Sequence, residues 1–266
     1  MKVTFDTNAL EGAARPERHP GNSRQADFIK VHEAIVAGKI QGYFSETIAT
    51  LEGIENDDRS AVMASTHLNM EMIVMTDAAT GQESIHFNAT VEQDRKPLHP
   101  EHSKRIRAAL RIGMRALKAP RRIAGFNVGD PNFYERAGSE DALSDRLNKT
   151  IAVGKAIEAR GVGYALVESI AKKFTRRDNV VNEMPMRSLG RARDKHEIGG
   201  VNRAIAEWAD ADSIAAHIGY DMDLFCTEDQ GKGAGARSVL DSNNRAWLES
   251  TFGVKFVTLS ELAGMI

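Results

Sequence analysis

Apolar and polar positions in the chain follow a strand-and-helix rhythm at both ends and lose it in the middle. KVTF is a short run of apolar and β-branched residues that reads as a buried strand and stops on Asp6. RPERHPGNS reads as a loop. RQADFIKVHEAIVAGKI then sets Phe28, Val31, Ile35 and Val36 at helical spacing, with Gly38 as the stop. GYFSE reads as a second strand, and TIATLEGIE as a helix carrying Ile48, Leu51 and Ile54 on one face. Strand, helix, strand, helix at this pace predicts a parallel α/β sheet. The rhythm breaks at NDDRS.

Between about residues 57 and 198 the pattern changes. MEMIVMTDAATGQESIHFNATVEQ reads as a β-hairpin around DAATGQ, and PEHSKRIRAALRIGMRALKAP as one helix between two prolines. GFNVGDPNFYERAGSE is mostly loop, and DALSDRLNKTIAVGKAIEAR and YALVESIAKKF are helical. RRDNVVNEMPMRSLGRARDKHEIGG is polar, basic and glycine-punctuated, and is expected to be mobile. From residue 200 the α/β rhythm returns: VNRAIAEWADADSIAAHIG as helix, DLFCT as strand, NNRAWLESTF as helix, VKFVT as strand and LSELAGMI as a last helix. The simplest architecture is an α/β core divided between residues 1–56 and 200–266, with an α+β insertion over 57–199.

In an open parallel sheet ligands bind beyond the carboxyl ends of the strands. Several acids are predicted there. Asp6 follows the first strand, and Thr227, Glu228 and Asp229 follow the strand in DLFCTEDQG. The second strand delivers Ser45 and Glu46 and then a helix bearing Glu52. EWADADSIAAHIG supplies Asp210 and Asp212 ahead of small residues that let a helix lie close to a sheet. Carboxylates gathered on one edge repel each other unless a cation is present, and oxygen-only ligands favour Mg²⁺ or Mn²⁺. One or two such ions activate water and neutralise charge on a phosphoryl group in transfer. Glu46 is an alternative to Glu52 and Asp210 to Asp212, and Glu46 also suits a helix cap.

TFDTNAL, SETIATLEGI, ADADSIAAHIG and LFCTEDQ resemble, in chain order, the four acidic motifs of the PIN-domain nucleases. The resemblance covers roughly 1–56 and 200–260, under half of the chain. It implies a three-layer α/β core, a central parallel sheet flanked by helices. Residue by residue it falls on Asp6 with Asn8, on Glu52, on Asp212, and on Asp229 with Thr227. It implies that Asp6, Glu52, Asp212 and Asp229 are ligands to Mg²⁺ or Mn²⁺, and that Asn8 and Thr227 orient their neighbours by hydrogen bonds. Thr7 is expected to shape the turn. The implied activity is that of an endoribonuclease hydrolysing RNA phosphodiester bonds to a 3′-hydroxyl and a 5′-phosphate. The stretch 57–199 is longer than anything the compact toxin members carry between the second and third motifs. A structure-selective DNA nuclease and a non-catalytic RNA-binding module are the alternatives.

Charge matters on the substrate side. The 35 basic and 37 acidic side chains nearly cancel, so contact with RNA, single-stranded or structured, requires a local patch. Such a patch is predicted on the long central helix, where Lys104, Arg107, Arg111, Arg115, Lys118 and Arg122 recur at three- and four-residue steps. Ile106, Leu110, Met114 and Leu117 form the opposite stripe. His99 and His102 read as surface residues, Trp208 and Trp247 as packing residues, and QGKGAGARS lacks the order of a phosphate-binding P-loop. A lone Cys226 excludes an intramolecular disulfide and suits a reducing compartment. With no apolar signal core and no run near the ~18 residues of a membrane span, a cytoplasmic protein is expected. A second copy of the chain and an antitoxin-like protein are the protein partners considered.

Overall fold

The computed structural model describes residues 1–76, 80–94, 99–119, 132–231 and 237–266, and of 86–92 the backbone alone. In chain order the elements are β1 (Lys2–Phe5), α1 (Thr7–Ala14), α2 (Gln25–Val36), β2 (Gln41–Ser45), α3 (Glu46–Thr50) and α4 (Asn56–Ala64). There follow β3 (His67–Thr76), β4 (Glu83–Glu92), α5 (Pro100–Arg111), β5 (Arg115–Leu117), α6 (Glu140–Glu158), α7 (Tyr164–Arg177) and α8 (Pro185–Ser188). The last are α9 (Lys195–Gly219), β6 (Leu224–Cys226), α10 (Ser242–Phe252), β7 (Phe256–Val257) and α11 (Leu259–Gly264).

Five parallel strands form the central sheet in the order β5-β2-β1-β6-β7. Successive side chains of a strand point to opposite faces; β2, β5, β6 and β7 are apolar on both, whereas β1 is apolar on one and sets the buried Thr4 on the other, hydrogen-bonded to His217. Val3 and Phe5 of β1, Phe44 of β2 and Cys226 of β6 share one core with α1, α2, α5 and α11. On the other face Phe225 packs with α6, α9 and α10, and Tyr43 and Leu117 pack under Ala216 of α9. Helices therefore cover both faces of the sheet, as expected for a three-layer α/β core.

The 25-residue helix α9 serves two cores. Ala211, Ile214, Ala215 and Ile218 lie over the sheet. Val201, Ala204, Ile205, Trp208 and Ala209 instead pack with α4, α7 and the Leu51–Ile54 link in a helical cap beyond the sheet's carboxyl edge. Trp208 is a core residue, whereas Trp247 is half-buried under Arg160. Small residues set how close α6 and α9 come: a Cβ at Gly219 would stand 2.0 Å from Thr150 Oγ1 and 2.9 Å from the Arg146 carbonyl.

Several expectations are corrected. NDDRS is no break but the start of α4, where Asp57 and Asp58 occupy the first turn that favours negative charge. Helix α3 is a short element that ends at Thr50, and Leu51 and Ile54 are buried by the cap and not by a continuous helix. Val36 is exposed, unlike Phe28, Val31 and Ile35. The stretch between the two prolines is not one helix: α5 stops at Arg111, Gly113 turns the chain with φ +96°, and Met114–Leu117 enters the sheet beside β2. The segment after α7 is tied down by ion pairs. Arg177 binds Asp178 (2.7 Å) and Glu197 (2.8 Å), Arg191 binds Glu183 (2.7 Å), and Arg193 binds Asp178 (2.7 Å). The hairpin β3–β4 forms as expected, with tip residues 77–79 outside the described ones. No helix among the described residues is long and apolar enough to cross a membrane.

Two glycine substitutions test the packing of α6 and α9. Gly219→Ala is expected to destabilise by about 1–3 kcal/mol, because the new methyl meets Thr150 and backbone. Gly154→Ala, mid-helix in α6 with nothing within 4 Å of a built Cβ, is expected to stabilise by about 1 kcal/mol. Urea unfolding of the two variants reads both signs.

Candidate functional site

From β1 the chain proceeds outward through β2 and β5, whereas β6 and β7 extend the sheet on the other side of β1. The order reverses between β1 and β6, and in open α/β sheets the crevice at such a switch point is where ligands sit. Asp6 and Thr227 stand there, one residue beyond the two strands.

Asp6 is fixed by donors from both sides of the crevice. It caps α1, its Oδ1 accepting from Thr7 N at 2.7 Å. Its Oδ2 accepts from Asn8 Nδ2 at 2.9 Å and from Thr227 Oγ1 at 2.7 Å. Asn8 Oδ1 in turn accepts from Glu228 N at 2.8 Å, and Thr227 Oγ1 accepts from Asp229 N at 3.1 Å. Asp229 Oδ1 closes the loop by accepting from Gly231 N at 2.7 Å. Asn8 and Thr227 thus each hydrogen-bond to Asp6 and to the turn after β6.

Two further acids reach this crevice. Glu52, in the link after α3, accepts a hydrogen bond from the Thr7 hydroxyl. The Arg59 guanidinium holds that link by donating to the carbonyls of Glu52 (3.4 Å) and Ile54 (3.2 Å). Asp210 comes from α9 where the helix passes the sheet's edge. Burial pushes Glu52 up from 4.5 to about 7; the charge of Asp6 adds to this, while Thr7, Arg59 and Arg105 oppose it. Burial likewise raises Asp210 well above the ordinary carboxylate range, helped by the charges of Asp6, Glu52, Glu207 and Asp229. Asp6 is raised by burial too, against the bonds from Thr227, Thr7 and Asn8. Glu52 and Asp210 lie deep among protein atoms but keep part of their surface open, so the acids line a basin that solvent can enter.

Asp210 is an α9 acid on which the charges of Asp6 and Glu52 act. Two residues on, Asp212 is turned about 200° around the helix and is also buried. Glu46 is excluded from the cluster: its carboxylate accepts from Ala119 N (2.9 Å) and the Tyr134 hydroxyl, and Ser45 caps α3. Asp229 is exposed at the basin's mouth, and its charge acts on Asp6 and Asp210.

The six cations do not form one stripe. Lys104, Arg107 and Arg111 are exposed along α5, but that helix starts at the rim and carries Arg111 about 15 Å down the side of the sheet. Arg115 lies on β5, Lys118 follows it at the rim, and Arg122 is outside the described residues. His102 is buried, not on the surface, and burial lowers its imidazole to about 4; His99 caps α5. Cys226 is buried as expected.

Thr7, Arg59 and Glu207 were not legible as site residues. Thr7 bridges to Glu52 and does more than shape a turn. Glu207 precedes Asp210 by three residues, a spacing that marks a shared helical face, and accepts from Val239 N at 3.1 Å. It borders a cleft of about 430 Å³ whose lining includes Arg203 and Arg237.

The donor set suits a hard divalent ion in its chemistry: carboxylate oxygens, partly buried and mutually repelling. Yet among the described residues no group of three or more His, Cys, Asp or Glu side chains is drawn close enough to hold one. Holding an ion therefore requires the side chains of Asp6, Glu52 and Asp210 to converge from these positions.

Glu52 gives the fold a pH dependence. Its raised pKa means that its contribution is fully present below about pH 4.5 and is lost as pH rises through about 7. In chelator, melting temperature is expected to fall across this window. Glu52→Gln is expected to flatten much of the fall and to melt above the parent at pH 8; a variant that melts below it there contradicts the assignment.

Comparisons of the chain with protein-family models, with curated proteins and with solved structures return no match.

Proposed function

We propose that the protein is a divalent-metal-dependent endoribonuclease built on a PIN-like core. One observation carries this reading: acids distant in sequence, Asp6, Glu52, Asp210 and Asp229, gather at the switch point of a parallel sheet, with Asp6 held by Thr227 and Asn8. On this reading the hairpin and the cap helices embellish the core, while α5 and β5 belong to it.

Asp6, Glu52 and Asp210 would hold Mg²⁺ or Mn²⁺, with Asp229 at the mouth. A bound ion supplies positive charge to the phosphate and lowers the pKa of a water. Asp6 acts as the fixed member of the set, since three donors orient its carboxylate before anything binds. Glu52, poised near neutrality, can take or release a proton within the basin at working pH. Hydrolysis bonds the water oxygen to phosphorus and breaks the P–O3′ bond, and the proton passes to the departing 3′ oxygen. Lys118 at the rim and Arg203 and Arg237 along the cleft are cations suited to flanking phosphates. An RNA strand crossing the rim would meet these before it met Arg107 or Arg111.

The test is cleavage of single-stranded RNA and of branched DNA with Mn²⁺ or with EDTA. RNA is expected to be cut only with the metal. Asp6→Asn and Asp210→Asn are expected to lose about 100-fold or more, and Asp212→Asn only a few-fold. Cleavage of branched DNA alone would move the protein to a structure-selective DNA nuclease. Intact RNA under all conditions would overturn the proposal.

A further inference from the structure

The β3–β4 hairpin is an amphipathic ribbon with its apolar face uncovered. Residues opposite each other in an antiparallel ladder share a face. The pairs Leu68↔Val91, Met70↔Ala89, Met72↔Phe87 and Val74↔Ile85 therefore place eight apolar residues on one face, which Thr76↔Glu83 ends beside the turn. The alternate pairs, among them His67↔Glu92, Asn69↔Thr90 and Glu71↔Asn88, make the other face largely polar. This is the pattern of a strand pair with one face in a core and one in water. Here, however, β3 is exposed along its whole length. Met70 is 64% exposed, Met72 60%, Val74 51% and Ile85 57%. No described helix packs along the ribbon.

We propose that this face is the contact between two copies of the chain, packed ribbon on ribbon about a two-fold axis. Three properties select a second copy. An isolated two-stranded ribbon is marginal in water, so a face of this kind is stabilised by being covered. The eight positions carry no charge and the one acid of the face, Glu83, lies at its turn end, so two ribbons packed antiparallel about a two-fold axis bring their apolar stretches together with the two Glu83 positions at opposite ends; a strongly acidic or basic partner would find only Glu83 to meet. The exposed side chains of Leu68, Met70, Met72, Val74 and Ile85 alone amount to several hundred Å². An area of that order is a large part of the ~800 Å² per partner of a standard interface. Face-to-face packing is favoured over edge pairing, because adding strands at an edge would leave the apolar faces bare. The result is a four-stranded sandwich standing off the two bodies, with each acidic basin free.

Sedimentation of the full chain tests this. The parent is expected to run at twice its 29.2 kDa at micromolar concentration. Met72→Asp and, independently, Met70→Lys are expected to weaken the dimer by about 30-fold or more, with unchanged circular dichroism. Asn69→Lys, on the polar face, is expected to leave it intact. A monomeric parent, a dimer that survives both apolar-face variants, or one that Asn69→Lys also breaks would each overturn the proposal. So would a monomeric parent that floats with neutral phosphatidylcholine vesicles, since the face would then take lipid. RNA cleavage by the monomeric variants reports separately on the proposed nuclease reading.

Discussion

One hydrogen bond joins the two ends of the chain at the place that matters: Thr227 Oγ1 to Asp6 Oδ2, 2.7 Å, between residues 221 positions apart. It exists because β1 and β6 are neighbours in the sheet, and the sheet order changes direction between them. With Asn8 accepting from Glu228 N, it binds the turn after β1 to the turn after β6 and holds one carboxylate between them. The rest of the basin is organised around that carboxylate. Thr7 follows Asp6 in α1 and carries the Glu52 contact, so the link after α3 is registered to the same turn.

Helix α9 supplies the remaining acid by spanning two packing environments. Its alanine-rich second half lies over the sheet and its first half over the cap, and Asp210 sits where one passes into the other. The cost is electrostatic. Burial and mutual repulsion hold Asp6, Glu52 and Asp210 toward their neutral forms, so the fold is stabilised by protons that a functioning basin would release. An arrangement that weakens its own fold near neutral pH is understandable if a cation takes the protons' place, and such trade-offs are common at active sites.

The core was largely legible in the sequence. KVTF, GYFSE and DLFCT are apolar runs ending on polar residues, and each forms the strand its pattern predicts. What pattern alone could not settle was orientation and interruption. WADAD offers two acids two residues apart, and it is the seating of α9 that brings Asp210 under the charge of Asp6. The stripe from Lys104 to Arg122 keeps helical spacing on paper, but Gly113 breaks it, and the apolar MRAL that follows gains more as a sheet strand beside β2. Thr7 looked like a turn former because its partner, Glu52, is 45 residues away. The polar run from Arg177 to Glu197 looked mobile because ion pairs between distant residues leave no trace in local composition.

Crystals grown without metal and soaked in MnCl₂ offer the most direct test of the central claim. The account predicts an anomalous peak among the carboxylates of Asp6, Glu52 and Asp210, with the Asp6 bonds from Thr227 and Asn8 retained. A peak on Asp212 or Glu46 in place of Asp210 and Glu52, or no peak at the β1–β6 crevice in crystals that admit the ion, would contradict it.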